Sequence, residues 1–337
     1  MRRLRDAPDV VKIAKDLGLA SADPVEAVLD HCRGRVASWV TGFKGSLTLS
    51  RFHQLIDDQL SLHHVVVKSD PELDELIREQ TRRGEVIFGT LKEEFAGGTE
   101  AITIKLQNAG VGMKRHLAVI DGRGEQAARV YFSKRHEGSH LLSLSPMQLS
   151  FVFRRTHAMR NAAEERLMDR ISGEMAFYPP LFHPQLNRLQ KIYVRPCFDL
   201  VDDVRNAICP EASWTATAIA VVEQNDFPAL FLTARYSSKT RDPGPESPSW
   251  ALRASSVRAN QAAKSAELII PWNYRVPTTS LIYRAFHEPL GMLDTHAHAD
   301  ERLGIWTASN GSCLPDIPIH IETRKHSDQV TALITLN

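Results

Sequence analysis

The stretch HEGSH at residues 136–140 combines residue types and a spacing that suit metal chemistry. If the stretch is helical, the two histidines lie one turn apart on the same face, so both imidazoles can bind one Zn²⁺ ion. Glu137 follows the first histidine, where a carboxylate can accept a proton from a water at the metal and act as general base. Zinc with one position open to water needs three protein ligands, so the motif predicts a further ligand downstream.

The residues around this motif predict the elements that position it. The apolar stretch 128–132 leads into a helix, and Pro146 marks its end. Before it, residues 100–106 and 116–121 alternate or run apolar and predict two β-strands. A strand that leads through a short loop into the helix favours an arrangement in which the edge of that strand holds an extended substrate.

A second helix is predicted between Pro146 and the Tyr-Pro-Pro sequence at 178–180. Three carboxylates lie near its start, at Glu164, Glu165 and Asp169, and each could supply the third metal ligand. A helical wheel at about 100° per residue places Glu164 within the apolar stripe and Glu165 at its rim. By packing alone, Glu164 is the better candidate for a buried ligand.

Two segments together resemble the ImmA/IrrE family of metallo-endopeptidases: AVIDGRGEQAARVYFSKRHEGSHLL (118–142) and EERLMDRISGEMAFYP (164–179). The resemblance covers residues 20–190 and extends more loosely to about 230. It implies that Glu165 is the third ligand beside His136 and His140, with Glu164 as second choice. Two features depart from the family pattern: Gly138 stands where a larger residue is usual, and the second helix ends in MAFYPP (175–180).

The resemblance implies a zinc-dependent endopeptidase that cleaves a specific protein, such as a helix-turn-helix transcriptional repressor, in a stress, mobile-element or defence response. Glu137 would be the general base, and Mn²⁺ suits the same ligands as Zn²⁺. Two candidates for the group that stabilises the oxyanion are unranked, Tyr131 and His157. The alternative function is that of a non-catalytic regulatory protein with a structural or vestigial zinc site. A homodimer is compatible with either.

The composition narrows the class of protein. The 337 residues carry 41 Lys and Arg against 40 Asp and Glu, and a net charge of +1 gives no electrostatic basis for nucleic-acid binding. The sequence contains neither a signal peptide nor an apolar run long enough to span a membrane. The four cysteines lack CxxC spacing, which is typical of reduced thiols and predicts a cytoplasmic protein.

The predicted fold class is α+β, with three parts. Residues 1–189 form a helical, zincin-like metallopeptidase domain with a small sheet, and residues 190–224 form a helix-turn-helix-like unit. The second helix of that unit (213–224) offers serine and threonine but no basic residue, so direct DNA binding is not expected. Residues 225–337 are strand-rich, and the resemblance implies a sensor domain there, similar to GAF domains.

Six strands are predicted in this C-terminal part, at residues 228–237, 267–271, 279–286, 303–309, 318–325 and 329–336, with the last two as a hairpin. A second histidine cluster consists of THAH (295–298) and His287. The HxH spacing can bind metal, but a solvated polar loop is the favoured interpretation.

Overall fold

The computed structural model describes residues 4–110, 112–144, 152–156, 162–238, 250–288, 297–308, 311–326 and 328–337. The chain divides into two compact units, the first formed by Met1–Leu181 with Glu211–Ser213 and the second by Phe182–Pro210 with Trp214–Asn337. Helices and two separate sheets are both present, so the predicted α+β class is confirmed.

The first unit contains seven helices and four strands within the described residues. The helices are α1 (Pro8–Asp16), α2 (Pro24–Gly42), α3 (Leu49–Gln59), α4 (Asp70–Arg82), α5 (Leu91–Ala96), α6 (Val130–Leu142) and α7 (Ala163–Ala176). The strands are β1 (Leu62–Val67), β2 (Thr99–Lys105), β3 (His116–Asp121) and β4 (Val152–Thr156).

Side-chain caps explain where several of these helices begin. The Asp23 carboxylate accepts hydrogen bonds from two backbone N–H groups at the start of α2. Thr48 and Ser69 cap α3 and α4 in the same way. Each cap satisfies an N–H group that the first helical turn leaves without an intrahelical acceptor. The local sequence therefore sets these helix starts.

The sheet of the first unit has the strand order β1-β3-β2-β4. Strand β3 pairs in parallel with β1 and antiparallel with β2, so both of its edges are occupied. The prediction that the strand leading into the HEGSH helix offers its edge to a substrate is therefore wrong. The sequence around β3 could not show this, because the strand that pairs with its other edge, β1, comes from much earlier in the chain.

Gly122 allows the sharp change of direction after β3. Its N–H donates to the carbonyl oxygen of Val67 at 2.8 Å. A Cβ atom built at this position would lie 2.6 Å from Cγ1 of Val66, closer than such atoms approach. Only glycine fits without displacing β1, and the chain then continues into α6.

The second unit contains a five-stranded antiparallel sheet of order β6-β5-β9-β8-β7. Its strands are β5 (Ala229–Ser238), β6 (Trp250–Ala259), β7 (Ala297–Arg302), β8 (Pro318–His326) and β9 (Gln329–Leu336). Its helices are α9 (Phe198–Ile208), α10 (Trp214–Glu223), α11 (Gln261–Ser265) and α12 (Leu281–His287), and α8 (Pro179–Gln190) spans the boundary between the units.

Three of the six strands predicted for the C-terminal part are observed, as β5, β8 and β9, with β8 and β9 in the expected hairpin. Residues 267–271 and the described part of 303–309, which ends at 308, form no named strand, and 279–286 fall largely within α12. Ser280 caps α12 through a hydrogen bond from the Ile282 N–H. A short apolar run fits a strand and a buried helix equally well, and here packing selected the helix.

Three strands were not predicted, β4, β6 and β7, and β4 lies inside the stretch after Pro146 that was predicted as the second helix, which begins only at Ala163. Strand β7 includes the second half of the THAH sequence, so His298 lies in a strand and not in the expected polar loop. Within the part of the chain that the structure describes, no helix is both long and apolar enough to cross a membrane.

His53 on α3 leads to a prediction about stability at low pH. Burial and the nearby Arg135 charge lower the pKa of His53 from 6.5 to about 3. Below pH 6.5 His53 is therefore protonated in the unfolded chain but neutral in the folded chain. The free energy of unfolding falls by roughly 1.4 kcal/mol for each pH unit of acidification in this range. We expect full stability from this group above pH 6.5, and loss as the pH falls towards 3.

The matched variant is His53→Gln, which keeps an N–H donor for the Met175 carbonyl oxygen, 3.1 Å from Nε2 of His53, but does not titrate. Between pH 7 and pH 4 the wild type should lose roughly 3 kcal/mol more unfolding free energy than the variant. Urea unfolding at a series of pH values measures this difference. Equal losses for the two proteins would contradict the prediction.

Candidate metal centre

Helices α6 and α7 bring His136, His140 and Glu165 together. Nε2 of His136 lies 3.2 Å from Nε2 of His140 and 3.0 Å from Oε2 of Glu165. Oε1 of Glu165 lies 3.5 Å from Nε2 of His140. The side chains are buried, with exposures of 0%, 3% and 7%. The structure therefore gathers the three predicted ligands into one cluster.

The geometry of this cluster fits a tetrahedral metal ion. Ligand atoms about 2.1 Å from one zinc ion lie about 3.4 Å from one another. The two histidine Nε2 atoms are 3.2 Å apart, and Glu165 approaches them through different oxygens, with Oε2 3.0 Å from His136 and Oε1 3.5 Å from His140, so each contact is close to that value. Two imidazoles and one carboxylate are also the ligand set of many zinc hydrolases, with a fourth position left for water. The residues present therefore fit zinc without rearrangement of the helices.

The two adjacent glutamates at the start of α7 differ in environment. The Glu164 side chain is 42% exposed, and its nearest carboxylate oxygen lies 3.9 Å from Nδ1 of His140. The Glu165 side chain is 7% exposed and contacts both histidines. The burial order expected from the helical wheel is wrong, because the position of α6 decides which side of α7 is covered. The structure brings to the histidines the glutamate that the resemblance implied.

Glu137 is fully buried beside the triad. The hydroxyl of Thr103 on β2 donates to its Oε2 at 2.5 Å. Its Oε1 has no hydrogen-bond partner among the described residues. Burial raises the pKa of Glu137, although the positive field of His136 and the Thr103 hydrogen bond oppose the shift. Thr103 therefore fixes one oxygen of a basic carboxylate and leaves the other available.

Asp169 has a role that the sequence did not reveal. Its Oδ1 lies 2.9 Å from Nδ1 of His136, on the opposite side of the imidazole from Glu165. Burial lowers the pKa of His136, but the hydrogen bonds to Asp169 and Glu165 outweigh burial and the net pKa is raised. A carboxylate on Nδ1 orients a ligating histidine and directs Nε2 to the metal. The spacing of Asp169, one helical turn after Glu165, is the signal that could have indicated this role.

His140 has a different environment from His136. The ring of Phe153 on β4 stacks on the His140 imidazole, with centroids 4.5 Å apart and an angle of 19°. Burial lowers the pKa of His140 well below 6.5, and the charges of His136 and Arg155 add to the effect. His140 is thus held neutral, which is the form that binds a metal ion.

A partly buried ion pair holds α6 against α3 and β1. The guanidinium of Arg135 contacts both carboxylate oxygens of Asp57 at 3.2 Å. His64 contacts the same carboxylate at 3.4 Å and the carbonyl oxygen of Lys134 at 3.0 Å. His64 therefore helps to orient the helix that carries the motif.

Of the two residues suggested for oxyanion stabilisation, the structure describes Tyr131. The Tyr131 hydroxyl donates to the carbonyl oxygen of Ala176 at 2.5 Å and is buried in that contact. His157 lies outside the described residues. Of the second histidine group, His287 contacts the Tyr236 hydroxyl and His298 lies beside His320. Among the described residues, only the triad on α6 and α7 forms a group that could hold a metal ion.

Gly138, which departs from the family pattern, leads to a second prediction. A Cβ atom at this position would lie 3.7 Å from Cδ1 of Leu60 and 4.0 Å from Cδ2 of Leu62, both ordinary contacts. Glycine inside a helix costs roughly 0.5–1 kcal/mol relative to alanine. We expect Gly138→Ala to stabilise the protein by about that amount and to leave zinc content unchanged.

Urea unfolding and elemental analysis check both parts of this expectation. Gly173→Ala on α7 is the matched control, because a Cβ atom there meets open space and the gain comes from the backbone alone. Destabilisation by Gly138→Ala with stabilisation by Gly173→Ala would show that α6 requires glycine for a reason that the contacts do not reveal.

No family model matches the chain, and no curated protein matches it. Among solved structures, a Mycobacterium tuberculosis transcriptional regulator has a TM-score of 0.45 and 10% identity to this chain. The match covers 97% of this chain and 81% of that one.

Proposed function

We propose that the protein is a zinc-dependent endopeptidase. The observation that carries the proposal is the cluster of His136, His140 and Glu165, whose ligand atoms all lie within 4.8 Å of one another, with the Glu137 carboxylate beside them. This combination of three ligands and a general base is typical of metal-assisted hydrolysis of peptide bonds.

Each residue of the centre has a distinct part in the proposed reaction. Zinc, when bound, would polarise the scissile carbonyl and lower the pKa of water. Glu137 would take the proton of the attacking water through Oε1 and pass it to the leaving amine. Thr103 holds the other oxygen of Glu137, so that Oε1 keeps its direction during the transfer. Asp169 and Phe153 hold the two histidine rings in place.

The proposed substrate is a specific protein, and the resemblance to the ImmA/IrrE family suggests a helix-turn-helix repressor in a stress, mobile-element or defence response. We also propose a cytoplasmic location, which the four free cysteines support, since none of them pairs in a disulfide. The same proposal includes three further points: the chain forms a dimer, residues 225–337 act as a sensor, and Mn²⁺ can replace Zn²⁺.

One observation favours a second candidate function, that of a regulatory protein with a structural zinc site. Glu137 and His136 are fully buried and the Glu165 side chain is 7% exposed, so the centre has little contact with solvent. A structural site is closed to water, whereas a catalytic site keeps one position open.

The experiment that separates the two functions compares wild type with Glu137→Gln. Only the endopeptidase requires the carboxylate, because a structural site would use the triad alone. The readout is the appearance of new peptide termini in a proteome-derived peptide mixture, measured by mass spectrometry.

A further inference from the structure

Arg155 lies on β4, next to the metal centre. Alternate residues of this strand point to opposite faces, and Phe153 and Arg155 share the face that covers α6. The Arg155 side chain is only 10% exposed. Arg154, on the other face, is 43% exposed and pairs with Glu94 at 2.7 Å. The two neighbouring arginines therefore have different environments, one buried at the site and one at the surface.

The guanidinium of Arg155 lies between two carboxylates. Its Nη2 is 3.4 Å from Oδ1 of Asp169, and its Nε is 3.6 Å from Oε2 of Glu100 on β2. The Asp169 atom is the same Oδ1 that contacts Nδ1 of His136 at 2.9 Å. A chain of charged contacts thus runs from Glu100 through Arg155 and Asp169 to a metal-ligating histidine, and it joins β2, β4, α7 and α6.

Asp169 is partly open to solvent. Its side chain is 39% exposed, so its carboxylate has water available as a competing partner. Without a neighbouring positive charge, rotation of this carboxylate into solvent would leave Nδ1 of His136 without its acceptor. Arg155 opposes that rotation because it attracts the oxygen that His136 uses.

A buried arginine is costly for a purely structural purpose. Nε and Nη1 of Arg155 have no hydrogen-bond acceptor in the part of the chain that the structure describes. Replacing a buried charge by an apolar side chain of similar volume is often neutral or stabilising in proteins. Packing alone therefore does not explain an arginine here, whereas a role at the metal centre does.

We propose that Arg155 is a positioning residue of the metal centre, which holds Asp169 against Nδ1 of His136 so that Nε2 is directed to the metal. The inference rests on the proposed function in one respect, since it requires a metal ion at the triad. It assigns to β4 a part in metal binding that neither the HEGSH motif nor the second helix contains.

The test measures zinc affinity in the full-length protein by competition with a chromophoric chelator. We expect Arg155→Gln to weaken binding about 10-fold, at the lower end of the effect of groups that orient metal ligands. The charge of Arg155 also acts on His140, so its removal relieves some repulsion of the metal, and the expected loss of affinity is what remains after that relief. Arg154→Gln, the matched control on the outer face of β4, should bind zinc as the wild type does. Arg155→Lys keeps the charge and should lose less affinity than Arg155→Gln.

A double-mutant cycle with Asp169→Ala identifies the route of the effect. If Arg155 acts through Asp169, Arg155→Gln has no further effect on affinity once Asp169 is alanine. The visible spectrum of the Co²⁺-loaded protein is a second readout, because reorientation of the His136 ring changes the ligand field. We expect the same altered spectrum in Arg155→Gln and Asp169→Ala, and a wild-type spectrum in Arg154→Gln.

Unchanged zinc affinity in Arg155→Gln, or additive losses in the double variant, would overturn the positioning role while the zinc site itself stands. If Arg155→Gln fails to fold, the double-mutant cycle is measured with Arg155→Lys instead, with and without Asp169→Ala. Wild-type protein that binds no zinc would overturn the proposed function together with this inference, so the two failures are distinguishable.

Discussion

Glu137→Gln should abolish hydrolysis of peptide bonds and leave zinc content and fold intact. Glutamine has nearly the same shape as glutamate and can still accept the hydrogen bond that Thr103 donates at 2.5 Å. It cannot accept the proton of the attacking water, and loss of a general base typically slows a reaction about 10²–10⁴-fold. We therefore expect new peptide termini from the wild type and a decrease of at least about 100-fold in their rate of formation by the variant.

Zinc content and thermal unfolding are the controls for this experiment, because Glu137 is not among the three ligands. Thr103→Val is a milder companion variant, which removes the donor to Oε2 and keeps the carboxylate. It should reduce the rate less than Glu137→Gln does. Equal hydrolysis by wild type and Glu137→Gln would contradict the endopeptidase proposal and favour the structural zinc site.

Glu165→Ala should remove zinc from the protein, whereas Glu164→Ala should retain it. Glu165 contacts both histidines and is 7% exposed, while Glu164 is 42% exposed and lies at the periphery. Two histidines alone leave the ion one protein ligand short of the usual three in catalytic zinc sites. Elemental analysis of proteins purified identically without added metal should find about one zinc per chain in wild type and Glu164→Ala.

The comparison between these two neighbouring glutamates controls for charge, since each variant removes one carboxylate from the same turn of α7. Zinc loss in both variants would indicate that local negative charge, and not coordination by Glu165, holds the ion. Stoichiometric zinc in Glu165→Ala would show that another residue completes the site. Absence of zinc from wild type, even after zinc is added, would exclude the proposed metal centre.

Local signals in the sequence were sufficient for many elements of the fold. Proline and side-chain caps mark the starts of α2, α3 and α4, and the alternation of β8 and the apolar run of β9 predict their hairpin. These signals work because both partners of each interaction lie within a few residues of each other. The prediction of a strand at residues 279–286 was wrong, because a short apolar run does not by itself distinguish a helix from a strand.

The sequence by itself determined the two histidines of the candidate site and the carboxylate between them, because the histidine spacing matches one helical turn. The residues alone left Glu164 and Glu165 as alternatives, and the resemblance pointed to Glu165. Only the tertiary structure decided which glutamate is buried between the histidines, since burial on α7 depends on where α6 packs. The tertiary structure also places Thr103 and Arg155 at the site. They lie on two strands, and no local sequence pattern predicts that these strands lie beside α6.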